Sequence, residues 1–192
     1  MIRLLPLSLL LAGCVQTTAR GFEPAQREVA LQRMRFVVEA VCLNNRTRAA
    51  QDRAARRLGF PLREVREGTV FYANPATLTF LQLGQSPELG FTQPDGTPRS
   101  VRGPACGVGS PAVGVANANR LLGEVLAPRL VEGDRTVSAP VALGENEDRG
   151  FGFLFEGLVV TVLRLGEVTF SDPEAAESVT FRYPVILVVH DR

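Results

Sequence analysis

His190 is the only histidine in this 192-residue chain, so a general base working near neutral pH would fall to it. It alternates with Ile186 and Val188 on one face of a strand-like run. No Ser or Cys is placed by sequence to pair with it, so a structural or exposed histidine is expected. The segment Gly84-Gln85-Ser86-Pro87-Glu88 lacks the last glycine of a Gly-x-Ser-x-Gly nucleophile elbow. Gly107-Val108-Gly109-Ser110 precedes a helical stretch and has the look of a phosphate cradle. Ala112 stands where the third glycine belongs, however, and no Gly-Lys-Ser/Thr follows. The acidic run Glu145-Asn146-Glu147-Asp148 offers oxygen ligands without the spacing of a calcium loop, and reads as a solvated hairpin tip. All 21 basic residues are Arg, which excludes Schiff-base lysine chemistry and a P-loop lysine. With no Trp and two Tyr, the chain is poorly supplied with platforms for a sugar-cleaving site. No catalytic residue, bound cofactor or metal site is therefore expected.

Cysteine chemistry is better marked. Arg3 precedes the apolar run Leu4 to Leu11, and Ala12 and Gly13 lead into Cys14. A charge, a short apolar core and small residues are the layout of an export signal. The run is about ten residues against the roughly 20 of a spanning helix. Leu11-Ala12-Gly13-Cys14 resembles the lipobox of bacterial lipoproteins at every position. The resemblance implies cleavage before Cys14, acylation of Cys14 and a membrane held through that lipid anchor, since several acyl chains anchor stably where one is marginal. Residues 1–13 would be the signal peptide, 14–22 a tether, and 23–192 a single domain. In that family, Val15 and Gln16 in place of Asp imply sorting to the outer membrane, facing the periplasm. The eight tether residues after Cys14, 15–22, reach about 28 Å at most.

With Cys14 spent on lipid, Cys42 and Cys106 remain, and an oxidising compartment favours joining them. Closing so long a loop would contribute about 4 kcal/mol by chain entropy. Removing residues 1–13 takes away Arg3 and no acid, leaving 20 Arg against 20 Asp plus Glu. So balanced a charge gives no argument for nucleic acid.

These residues need elements to hold them. A helix is expected from Pro24, with Ala30, Met34, Val37, Val38 and Val41 as one apolar stripe and Cys42 at its edge. A second, Arg-rich helix is expected over 47–58, closed by Gly59 with Phe60 and Pro61 behind it. Strands are expected at Thr69–Ala73 and Ala76–Leu83, with turns at Asn74-Pro75 and Gln93-Pro94-Asp95-Gly96, and Cys106–Gly109 reads as a short strand or extended piece. Ser110 and Pro111 would open a third helix that buries Leu121, Leu122, Val125 and Leu126 and stops by Pro128. The alternation at Phe151, Phe153 and Phe155, the run Leu158–Leu165 and the alternation from Val179 to Val189 complete a β region, with loops at 144–150 and 171–178. Pro184 argues for an edge strand or a bulge. The order gives α+β: two N-terminal helices, a mainly antiparallel sheet and one further helix.

Residues 25–130 are similar in pattern to small exported proteobacterial proteins of unknown function, a likeness that carries over no functional residue. The expected role is a non-catalytic binding or structural one, with an envelope protein as partner. The alternative is a hydrolase or small-ligand-binding domain using carboxylates and Arg on the Gly- and Pro-rich 84–112 segment, read as a long functional loop.

Overall fold

The computed structural model describes residues 21–92, 96–131, 141–142, 151–155, 158–172 and 177–191. The lipobox and Cys14, the turn residues 93–95, and the 144–150 run with its acids lie outside them.

Helix α1 (Pro24–Val37) starts from a capping box at Glu23, whose backbone N–H donates to Gln26 Oε1 at 2.9 Å. It continues as a π-helical turn, Val38–Leu43. The wider turn lets Val38, Val41, Cys42 and Leu43 all face inward. Asn45 closes this end by donating from Nδ2 to the carbonyls of Ala40 and Val41. Helix α2 (Arg48–Arg57) is capped by Thr47, whose side chain accepts from the Ala50 N–H. Gly59 then takes a left-handed φ of 67° that ends the helix.

Among the described residues ten strands follow: β1 (Leu62–Arg66), β2 (Thr69–Asn74), β3 (Thr79–Gln85), β4 (Leu89–Thr92), β5 (Pro98–Val101), β6 (Pro104–Gly109), β7 (Val141–Ala142), β8 (Phe151–Phe155), β9 (Leu158–Asp172) and β10 (Glu177–His190), with α3 (Val115–Val131) between β6 and β7. Eight strands form one sheet in the order β1-β2-β3-β6-β10-β9-β8-β7, while β4 and β5 form a separate hairpin. Every strand pair is antiparallel, so the fold is α+β with an antiparallel sheet.

Strand periodicity sorts the side chains into two faces. One presents Val70, Tyr72, Leu81, Leu83, Cys106, Val108, Ile186 and Val188 to the helices, where they pack with Met34, Val37, Leu122 and Leu126. Cys42 and Cys106 are joined by a disulfide with a Cα separation of 5.4 Å. It pins the π-helical turn to β6, a central strand. On the opposite face Val101, Ala105, Val159 and Val189 form a smaller cluster with Leu89 and Leu187, so the β4–β5 hairpin covers only part of that side.

Three expectations need correction. The 84–112 segment is not a loop: it holds the end of β3, the β4–β5 hairpin and all of β6. Ser110 does not cap the third helix; its Oγ accepts from the Ala112 N–H in a tight turn, and the helix begins at Val115 and runs through the exposed Pro128 to Val131. Of the two alternatives expected for Pro184 the bulge holds, with the register shifting between Tyr183 and Val185 in β10, a strand that lies between β6 and β9. Strand β9 also extends past Leu165 to Asp172, and β10 begins at Glu177, so strand takes 171–172 and 177–178 of the expected 171–178 loop.

Candidate functional site

The part of the second sheet face that the described residues leave uncovered is a groove of about 670 Å³. Its floor is set by glycine. Register places Phe80 opposite Gly109 and Gly109 opposite Val185 in one row, and Gln82 opposite Gly107 and Gly107 opposite Leu187 in the next. A Cβ built on Gly109 would stand 2.6 Å from Tyr183 Cε2 and 2.7 Å from the Pro184 carbonyl oxygen. One built on Gly166 would meet the same Tyr183 ring. The glycines thus leave room for Tyr183 to lie flat on the sheet, where it stacks on Phe80 with ring centroids 5.5 Å apart. Burial pushes the Tyr183 phenol up to about 12. Phe71 and Gln82 extend the lining toward the edge strand β1.

The rim is charged and internally paired. Glu64 and Arg66 lie two apart on β1, on one side of the strand, and form a two-pronged ion pair at 2.5 and 2.6 Å. The Arg66 guanidinium holds the Glu64 carboxyl below its usual range. On the far wall Arg182 Nε donates to Glu167 Oε2 at 3.3 Å. Arg63 reaches the other way: its Nε donates to the Tyr72 hydroxyl, which donates to Asp52 Oδ1 at 2.6 Å. Burial pulls the Asp52 pKa upward, but hydrogen bonds from Tyr72, Arg56 and Arg63 outweigh it and leave the carboxyl low. This cluster locks α2 to β1 and β2, and so fixes one wall of the groove.

Gly107-Val108-Gly109-Ser110 finds its use here. β6 is bordered by β3 on one side and β10 on the other, so the backbone groups of its glycines serve two ladders rather than an anion. Among the described residues of the 84–112 segment, Gly107 and Gly109 line the groove, and Glu88 and Arg102 do not. His190 is structural. It is 5% exposed, and its Nε2 lies 2.8 Å from the Cys42 carbonyl oxygen. A carbonyl only accepts, so Nε2 carries the proton. Among the described residues no group of three or more His, Cys, Asp and Glu is placed to hold a metal ion.

Burial lowers the His190 pKa, the Cys42 carbonyl opposes that, and the Arg46 charge adds to it. The unfolded chain therefore takes up the His190 proton at a higher pH than the folded one. The stability this contributes is complete above the ordinary value of 6.5 and is lost as pH falls below it toward the lowered folded value. Thermal melts from pH 7.5 to 5 should fall more steeply for the parent than for His190→Gln. Parallel curves would mean that His190 titrates alike in both states.

The aromatic lining residues left one trace in the sequence. Val70, Phe71, Tyr72 and Ala73 are consecutive and apolar, so β2 has no polar face, as befits a strand used on both sides. The rim charges left none. Comparison with protein-family models, with curated proteins and with solved structures gives no match.

Proposed function

We propose that this chain is an envelope lipoprotein, acylated at Cys14, whose domain binds a ligand or partner protein through the groove and does no covalent chemistry on it. The anchor rests on Leu11-Ala12-Gly13-Cys14. The binding role is carried by one observation: an open groove floored by glycine and lined by Phe71, Phe80 and Tyr183. Aromatic surface beside paired charge favours capture of a partly apolar molecule. A catalytic acid at neutral pH needs a raised pKa, whereas Glu64 on the groove rim is held low by Arg66. That weighs against the hydrolase reading and leaves the binding one. No helix among the described residues is long and apolar enough to cross a membrane, so in this reading attachment falls to the lipid.

The intact mass of the protein from its native membrane tests the anchor. A chain lacking residues 1–13 and carrying acyl groups supports it; an unacylated chain overturns it. A photoreactive residue at Gln82, exposed in the groove, tests the binding site. A discrete adduct formed in cells, absent when the probe sits at the exposed Arg53 on α2, supports it. Equal labelling at both positions overturns it.

A further inference from the structure

Among the described residues the eight-stranded sheet is open at β1, which pairs there with β2 alone. All five β1 residues are exposed. Among the described residues four large apolar side chains are exposed, and two of them, Leu62 and Val65, lie on this short strand at 53% each. Its hairpin to β2 turns through Glu67 and Gly68, with φ of 46° and 78°, a two-residue turn of the primed kind. The pair closing such a turn, Arg66 with Thr69, is hydrogen-bonded. By alternation Glu64 and Leu62 then bond to β2, while Arg63 and Val65 aim their N–H and C=O groups at the open edge.

We propose that this edge pairs with β1 of a second copy of the chain, antiparallel, about a two-fold axis at Val65. An edge-facing residue must stand opposite another edge-facing residue, so the two facing positions share the same parity. That leaves three registers centred on this stretch. Centring on Arg63 sets Arg63 against its own copy and Pro61, which has no N–H, against Val65. Centring on Glu64 sets Glu64 against Glu64. Centring on Val65 sets the exposed valine against itself and places Glu64 opposite Arg66 on both sides of the axis, which opposes unlike charges and leaves no like pair. The pairing also covers an edge that would otherwise template random association. Both copies keep their helices on one side of the joined sheet, so the two grooves lie side by side on the other. The proposal is independent of the anchor and of what fills the groove.

The test uses the full-length chain with a single added cysteine, Val65→Cys, Glu64→Cys or Leu62→Cys, oxidised in the cells that make it and separated without reductant. All three positions are exposed, and Cys42 and Cys106 are fully buried. The Val65 register brings the two Val65 Cα atoms to about 5.5 Å, inside the disulfide range, and leaves the other two self-pairs outside it. Val65→Cys should therefore give dimer at least about tenfold faster than Leu62→Cys. Adding Glu64→Arg should suppress that dimer, and adding Arg66→Glu as well should restore it. Equal rates at the three positions, faster crosslinking at position 64, or a Val65→Cys adduct with a different protein would overturn the proposal.

Discussion

Replacing Cys42 and Cys106 together with Ala should lower the melting temperature of the oxidised domain by about 8–16 °C. The bridged residues are separated by 64 positions, and freeing a loop of that size restores about 4 kcal/mol of chain entropy to the unfolded state. A domain of this size loses roughly 2–4 °C per kcal/mol. The double substitution is the right comparison because both side chains are fully buried: a single substitution would strand a thiol in the core. The loss is large against a typical total of about 5–15 kcal/mol. Calorimetry on the two proteins at one pH decides the matter. A fall of under about 3 °C would mean that the bridge hardly constrains the unfolded chain.

Gly109→Ala should destabilise by about 1–3 kcal/mol, although it adds one methyl group. The new Cβ would press on the Tyr183 ring and on the Pro184 carbonyl oxygen. A ring can tilt, but the carbonyl belongs to the bulge between Tyr183 and Val185 and cannot move alone. The bulge must shift, and Tyr183 must leave its stacked position on Phe80. A Cβ at Gly123, inside α3, meets nothing within 4 Å, so Gly123→Ala should stabilise by about 0.5–1 kcal/mol through helix propensity alone. Urea midpoints for the two variants should therefore move in opposite directions. A Gly109→Ala midpoint equal to the parent's would mean that the groove floor is more compliant than its geometry indicates.

The helices were the more legible half of the fold because their signals are local. Pro24, the apolar stripe behind it, Thr47 and Gly59 each act within a turn of where they stand. β1 was missed because Leu62-Arg63-Glu64-Val65-Arg66 buries neither face and so shows no period. β6 is legible only in part, as the short strand or extended piece expected at Cys106–Gly109, for the opposite reason. Its apolar face is Cys106 and Val108, while Gly107 and Gly109 on the other face are covered by residues of β10. Nothing near position 107 announces Tyr183. The groove draws its lining from six strands, and pairing across such distances is not written in any one stretch of chain. Helix α3 outran its expected stop because Pro128 sits on the solvent side of its last turn, where losing one N–H costs less than losing the packing beneath.

The strand order also dictates when this protein can finish folding. Helices α1 and α2, strands β1, β2, β3 and β6, and both cysteines of the bridge all come from residues 24–109, so a nascent chain can assemble that half early. β6 then waits for β10, whose Val189 pairs with Ala105 from the first half. Until the last strand is delivered, β6 is a bare edge beside an apolar face, the condition that invites association with other chains. Pairings between positions so far apart in the chain form slowly. The yield of native protein therefore depends on how well that edge is shielded during the interval before β10 docks.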